Sequence, residues 1–475
     1  MKMKSREASS GALLFVGSIL FLVVGYVINV WLGRVLGPTD YGAYVVVISV
    51  MTTLNLIQTA GLPQAISRQI ANQQNNVRTV LATGLYIQIA LTAALTLFLL
   101  LTAPLLAQTL HDQSLSPYLM LAAFVLPLYG LYAFFSGYRN GLHDFNRQGL
   151  MSVSYSIMKL ILVIWLTYRF GLGGAIIAFI LAPVLPFLIG LKIVKGKFNK
   201  TEAMRIIIPT IPLTIYAIIS TIHITATIFF VKVFLSAHET GVYAADQNIA
   251  SVIFFATNAL AQMILPIVSR QYAANNKVQL AESITLYYRL ALIITAPLVF
   301  MAYFASKNIL LLLYGNQYIS GSVALGVLAV AMGIFSIASV LAAGLAGTQY
   351  LYSVVRVSFV GFAALCLGSI FLIPRYGLLG ASLATLIGSG LVLVGYVTIL
   401  MKRVNVVLPL WSTVKIITAA VVSSAISLGF KSAAIDQIIL SIVGAIMYLG
   451  ILWVMKEITM SDIAILWRKQ VRAED

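Results

Sequence analysis

Charge is what this chain has least of. Charged residues make up 9% of its 475 positions against 61% hydrophobic, where soluble domains carry roughly 25% charged residues. A water-soluble globule of this length cannot hide so much apolar surface; lipid can. Acidic residues are scarcest, 13 Asp and Glu against 30 Lys and Arg, leaving a net charge of +17. Cysteine occurs once, at Cys366 inside an apolar run, which excludes a disulfide framework. A phosphate loop of the form G-x-x-x-x-G-K-[ST] is missing, as is any soluble segment large enough to hold one, which argues against ATP hydrolysis. No His, Cys or Asp cluster has metal-ligand spacing. Paired carboxylates suited to glycosyl transfer or hydrolysis are absent from the loops, nearly all shorter than about a dozen residues. No cofactor, no metal and no enzymatic activity are expected.

What the chain has is long apolar stretches, with a mean hydropathy of +0.99. Those near the ~20 residues that span a bilayer number fourteen: about 8–33, 42–66, 79–107, 117–138, 148–168, 172–192, 206–234, 241–268, 283–305, 321–346, 352–373, 377–401, 410–430 and 435–455. The run 308–314 is too short to cross and reads as an interfacial or re-entrant piece ended by Gly315. The basic start (Lys2, Lys4, Arg6) leads into about 26 apolar residues, longer than a signal-peptide core, and reads as a retained helix.

Loop charges test the count, because short cytoplasmic loops accumulate Lys and Arg. With the N-terminus inside, the inner segments hold Arg68 and Arg78; Arg139 and Arg147; Lys192, Lys195, Lys197, Lys200 and Arg205; Arg270 and Lys277; Arg356; Lys402 and Arg403; and Lys456, Arg468, Lys469 and Arg472. The outer loops hold about one each: Arg34, Arg169, Lys232, Lys307, Arg375 and Lys431. Both termini are therefore placed in the cytoplasm, with the protein multi-pass in the cell membrane. Charge spread over many short loops points to topology and anionic inner-leaflet lipid rather than nucleic acid. The tail 456–475, with Ser461 and Asp462 before Ile463, Ile465, Leu466 and Val471, reads as a cytoplasmic amphipathic surface helix.

A block of six spans occurs twice. Ser67-Arg68-Gln69-Ile70-Ala71 returns as Ser269-Arg270-Gln271-Tyr272-Ala273; Gly171-Leu172-Gly173-Gly174-Ala175 as Gly377-Leu378-Leu379-Gly380-Ala381; Gly42-Ala43-Tyr44 as Gly241-Val242-Tyr243. Six spans per copy make the copies parallel, an arrangement of secondary transporters with the path between the halves. The expected fold is all-α integral membrane: 14 transmembrane helices, two parallel six-helix repeats around a central cleft plus two extra C-terminal helices. Its parts are an N-terminal lobe 1–192, a basic cytoplasmic linker 193–205, a C-terminal lobe 206–403, an extra helix pair 404–455, and the tail.

Helices lining a cleft should carry one polar face. Span 7 places Tyr216, Ser220, His223 and Thr227 at i, i+4, i+7 and i+11. Span 8 places Gln247, Ser251, Asn258 and Gln262 within one arc, and span 2 does the same with Thr52, Asn55 and Thr59, Gln58 near the edge. These groups either line the path or bond helix to helix. Ionisable groups within spans are rarer, each costing at least ~2.5 kcal/mol at the bilayer centre. Lys159 sits mid-span 5, His223 mid-span 7, and Asp246 about one turn inside span 8. Arg34 and Lys232 close the outer ends of the partner spans 1 and 7, where they either meet an anionic substrate or snorkel. Lys159 faces the path or forms a structural pair, and His223 is a site residue or a satisfied structural histidine. Asp246 is a coupling-ion carrier or the ion-pair partner of Lys232 or Arg34, the partner role being favoured.

The segment Leu32-Gly33-Arg34-Val35-Leu36-Gly37-Pro38-Thr39-Asp40-Tyr41-Gly42-Ala43-Tyr44, together with Leu312-Leu313-Tyr314-Gly315-Asn316-Gln317-Tyr318 and the two GLxGA turns, resembles polysaccharide-biosynthesis membrane proteins, oligosaccharide flippases of the multidrug/oligosaccharidyl-lipid/polysaccharide exporter superfamily. Gly37-Pro38 is expected to end the first helix, with Tyr41 and Tyr44 anchoring at the interface. The resemblance implies alternating-access transfer of a lipid-linked pyrophosphate oligosaccharide from inner to outer leaflet. Cations should then line the cleft, and Arg34, inside the matching motif, has the strongest claim. Membrane lipids, the lipid-linked substrate and a polysaccharide polymerase or glycosyltransferases are the implied partners. Lipid II flippases of the superfamily carry charge within the first helix, whereas none lies here between Glu7 and Arg34, which disfavours lipid II. The rival reading is a drug or cation antiporter, for which Asp246 is the sole buried acid candidate.

Overall fold

The computed structural model describes residues 2–72, 76–194, 196–208, 211–428 and 434–457, all helix and connecting turns with no strand among them. The side chains of Tyr216 and Ser220 and the tail from residue 458 onward lie outside the described residues. The chain divides into two compact units, Met1–Ala245 and Asp246–Asp475.

The first unit begins with α1 (Lys2–Thr59), which kinks at Gly37 (φ 72°, ψ 172°) directly before Pro38. Proline cannot donate to the helical ladder, so the pair bends the helix rather than ending it. There follow α2 (Leu62–Asn72), α3 (Val77–Thr109), α4 (Leu115–Ala123) and α5 (Val125–Gly141). Next are α6 (Phe145–Leu181), α7 (Val184–Gly190), α8 (Lys200–Ile207), α9 (Ile211–Phe234) and α10 (Ala237–Ala256), within which the unit boundary falls. Large apolar side chains such as Leu101, Phe98 and Trp165 remain exposed along these helices, a surface suited to lipid rather than water.

A core of Leu62, Ile66, Ile70, Val80, Phe134, Phe135 and Met151 ties α2, α3, α5 and α6 together, and Ile206 of α8 joins it. The basic segment expected as a linker is thus docked on the first unit. Asn199 caps α8 by accepting from the Thr201 and Glu202 amides, and the Asn199 amide donates to Thr83 at 3.1 Å. The first unit also takes in α9 and the start of α10, beyond the boundary expected at 192. The α9 residue Lys232 is ion-paired to Asp112, and Gly241 of α10 lies against Pro38.

The second unit contains α11 (Asn258–Ala273), α12 (Lys277–Phe304), the eight-residue α13 (Ser306–Leu313), α14 (Ser322–Ala346), α15 (Leu351–Ile399), α16 (Leu410–Leu428) and α17 (Ala434–Val454). The most buried candidate span contains α14, which packs against α11, α12 and α15. Near the end of α17, Glu457 pairs with Arg289 of α12 at 3.3 Å and Lys415 of α16 at 3.2 Å, and accepts from Ser412.

Each unit contains one corner of the same design. Gly171 (φ 55°, ψ −138°) kinks α6, and Gly377 (φ 58°, ψ −133°) kinks α15, conformations open to glycine and strained for L side chains. Three residues on, a methyl group on Gly174 would overlap the Leu166 backbone, and one on Gly380 the Leu372 backbone. The repeated GLxGA sequence therefore folds the same way both times.

Eight described segments are long and apolar enough to cross a membrane, and three of them run to 56, 46 and 54 residues. Each of those three contains a positive-φ glycine kink and carries at least twice the ~20 residues that one crossing needs. Two local expectations need correction. Tyr41 and Tyr44, expected to anchor at the interface, are fully buried against protein with their rings stacked at 6.1 Å, just past the Gly37 kink. The polar arc of span 8 is not one face of a straight helix: the chain breaks at Thr257, between α10 and α11, where the Thr257 hydroxyl bonds to Ser336.

Candidate functional site

Lys159 is the most unusual side chain of the first unit. Midway along α6, its ammonium lies 4.3 Å from the ring centroid of Phe179 and 6.0 Å from that of Phe21. Phe179 lies beyond the Gly171 kink, which folds the second limb of α6 back towards the first. Negative ring faces partly compensate a cation removed from water. The described residues supply no ion pair and no hydrogen bond to Lys159. A positive charge held by aromatic rings and left without a counter-charge among the described residues is a candidate contact for an anion.

The rings continue away from it. Phe179 packs on Tyr44 at 6.2 Å, and Phe21 stacks on Tyr155 at 6.0 Å. Tyr155 in turn stacks on Tyr132 at 5.1 Å and meets Tyr129 edge-on at 5.6 Å. Sequence periodicity did not single out these tyrosines; the spacing of Tyr129 and Tyr132 on one helix, with Tyr155 on the next, was the available signal.

The other cations stand elsewhere. Lys232, at the end of α9, is buried and donates to Asp112 at 2.6 Å. Its counter-ion is therefore Asp112, in the turn between α3 and α4, and not Asp246. Partial burial pulls the Asp112 carboxyl up, but the hydrogen bonds from Lys232 and Ser114 and the Lys232 charge outweigh it and hold it below the ordinary value. Arg34 is exposed on α1, just before Gly37. Phe21, which marks the level of Lys159, precedes Arg34 by 13 residues, about 20 Å at 1.5 Å per residue. The two cations thus start from well-separated levels along α1.

Asn55 is directed into a closed network. Gln58 donates to Asn55 at 2.7 Å and to the Leu126 carbonyl at 3.1 Å, while Thr92 donates to Gln58 at 2.7 Å and Gln88 to Thr92 at 3.0 Å. These bonds join α1, α3 and α5, the helix-to-helix alternative for span 2. His223 and Thr227 are buried one turn apart on α9. In the second unit Gln247 is buried and Asn258 exposed at the start of α11. Asp246 is fully buried, and neither carboxylate oxygen has a hydrogen-bond partner among the described residues.

A sequence model described as polysaccharide biosynthesis protein matches residues 8–272, more than half of the chain. The chain belongs to that family. It is 22% identical over 264 residues to the capsular polysaccharide biosynthesis protein CapF of Staphylococcus aureus, a match covering 52% of this chain and 65% of the length of that relative. Among solved structures it resembles the lipid II flippase MurJ in an inward closed conformation, with a TM-score of 0.79 at 14% identity over 97% of this chain and 100% of the other. It also resembles an inward-facing multidrug resistance MATE family transporter of the MOP superfamily, with a TM-score of 0.69 at 17% identity over 84% and 95%. At such identities these likenesses establish the fold alone. Within that fold, Lys159 and the rings beside it are the candidate site of the first unit.

Proposed function

We propose that this protein is a flippase that moves a lipid-linked, pyrophosphate-bearing oligosaccharide or polysaccharide repeat unit from the inner to the outer leaflet by alternating access. The observation that carries the reading is Lys159, a cation among rings without a counter-charge. A pyrophosphate supplies the missing charge, and the neighbouring aromatic rings suit a sugar. Fourteen crossings follow if the eight long segments are counted with one extra for each of the three kinked ones and one for each of the three shorter apolar helices. An even count puts both termini on one side, and the loop charges make that side the cytoplasm. Arg34, about 20 Å further along α1, is a second station for the same anion on the outward side. His223 and Lys232 are secondary contacts in this reading, Gln247 and Asn258 are separate candidates in the second unit, and Asn55 braces α1 against α3 and α5 through Gln58.

The test is to replace Lys159 by Met in the producing cell and to measure surface polysaccharide beside protein abundance. Loss of polysaccharide at unchanged abundance is the expected result; normal polysaccharide sinks the reading. One observation favours a second reading, a cation-coupled antiporter: the buried carboxylate of Asp246 has no partner among the described residues. Expression would then raise tolerance to cationic dyes, and Asp246→Asn would remove that tolerance.

A further inference from the structure

The first unit contains a cavity of about 500 Å³ that Lys159 does not line. It lies between α2, α5 and the first turns of α6, and its size is within the roughly 300–1,000 Å³ of small-molecule sites. Tyr129 and Tyr132 form part of the wall, with Gln64, Arg68, Asn140 and Gln148 among the polar groups around them. No carboxylate lines it, which makes it a poor host for a cationic drug.

Three features point to a polyhydroxylated, anionic ligand. The two tyrosine rings are held 5.6 Å apart and both pack on Tyr155, so their positions are fixed before anything binds. A ring face is electron-rich, and the C–H faces of a pyranose are weakly positive, so a sugar stacks where a flat anionic group would not. The Gln148 side-chain oxygen is shielded from solvent and has no donor among the described residues; a hydroxyl would supply one. Arg68 makes no ion pair and no side-chain hydrogen bond among the described residues, leaving its planar fork for a phosphate oxygen or an acidic sugar.

We propose that this cavity is a saccharide pocket that receives the sugar head of a phosphorylated, lipid-linked glycan. Tyr129 and Tyr132 stack on pyranose rings, Gln64, Asn140 and Gln148 take hydroxyls, and Arg68 takes the anionic group. The lipid-linked part of the assignment rests on the flippase reading. Tyr155 connects the pocket to the cation: it stacks on Tyr132 on one side and on Phe21, the ring beneath Lys159, on the other. The pocket is thus the first contact of a cargo whose phosphates travel on to Lys159.

The test uses the full chain in lipid nanodiscs and two probes, farnesyl diphosphate carrying an N-acetylhexosamine disaccharide and farnesyl diphosphate alone, with affinities from calorimetry. Wild type should bind the sugar-bearing probe at least roughly tenfold more tightly. Tyr129→Leu and Tyr132→Leu should erase that preference, Tyr132→Phe should keep it, and Arg68→Gln should weaken both probes. Ser136→Phe fills the cavity while leaving every ring in place, and should also erase the preference; thermal melts confirm folding of each variant. No preference in wild type, or a preference that survives both the leucine substitutions and Ser136→Phe, overturns the pocket. Failure of the flippase reading looks different: the preference is present and variant-sensitive, yet the same probe is not translocated in proteoliposomes.

Discussion

Gly42 and Gly241 lie against each other with no room for a side chain on either. A methyl group on Gly42 would come 2.5 Å from the Ala237 carbonyl oxygen and 2.7 Å from the Gly241 nitrogen, and one on Gly241 would run into the Pro38 carbonyl. The two are counterparts in the duplicated sequence, heading Gly42-Ala43-Tyr44 and Gly241-Val242-Tyr243.

Gly241→Val should therefore be costly. The β-branched side chain must displace backbone rather than a flexible neighbour, and overpacking of this kind costs roughly 1–3 kcal/mol or more. The purified variant should melt several degrees below wild type in detergent. Gly25→Ala is the control: nothing lies within 4 Å of its added methyl, and the change should cost nothing or gain up to about 1 kcal/mol of helix propensity. Equal melting of the two variants would contradict the close approach.

The separation of Lys159 from Arg34 gives a kinetic prediction. Residues that grip one anion together show coupled losses, whereas separate stations lose independently. Lys159→Gln and Arg34→Gln should each slow translocation in proteoliposomes, and the double variant should show the product of the two fold-losses within about twofold. A double variant no slower than the worse single one would place both cations on one phosphate group.

Glu457 fastens α12, α16 and the end of α17. Burial pulls its carboxyl up, but the hydrogen bonds from Ser412 and Lys415 and the charges of Arg289 and Lys415 outweigh that and hold it below its ordinary value. Glu457→Gln keeps the shape and removes the charge, leaving two cations facing each other. We expect protease cleavage between α16 and α17 to become faster while the first unit stays intact; unchanged cleavage would show that apolar packing alone fixes the pair.

The sequence exposed what depends on local chemistry. Gly171 and Gly377 are legible because a positive-φ corner needs glycine wherever it is built, so the same pattern stands at both corners. Lys159 was legible because a charge in an apolar run is costly enough to demand a reason. What stayed hidden depends on tertiary partners. Periodicity put Asn55 on a polar face, yet whether that face met a path or Gln58 could not be read from spacing. Thr257 carries no helix-breaking signature, so the break that spoils the span 8 arc had no marker. Asp112 carries no marker of its own in the sequence, because its partner stands 120 positions away.

That pair yields the pH prediction. Lys232 is 6% exposed and Asp112 22%, so the pair is more shielded than a surface ion pair. Asp112→Asn should cost about 2 kcal/mol, between the values for exposed and buried pairs. Because the folded-state pKa of Asp112 is depressed, its contribution is fully present above the unfolded value near ~3.9 and disappears as pH falls through the folded value. Melting curves of wild type and Asp112→Asn should thus differ at pH 7, stay apart down to about pH 4, and converge below it. Lys232→Met, which removes the cation together with its need for a partner, should cost less than Asp112→Asn, since an uncompensated buried charge is the larger penalty. A gap between wild type and Asp112→Asn that persists undiminished well below about pH 3 would mean the carboxylate charge contributes nothing to holding α9 against the α3–α4 turn.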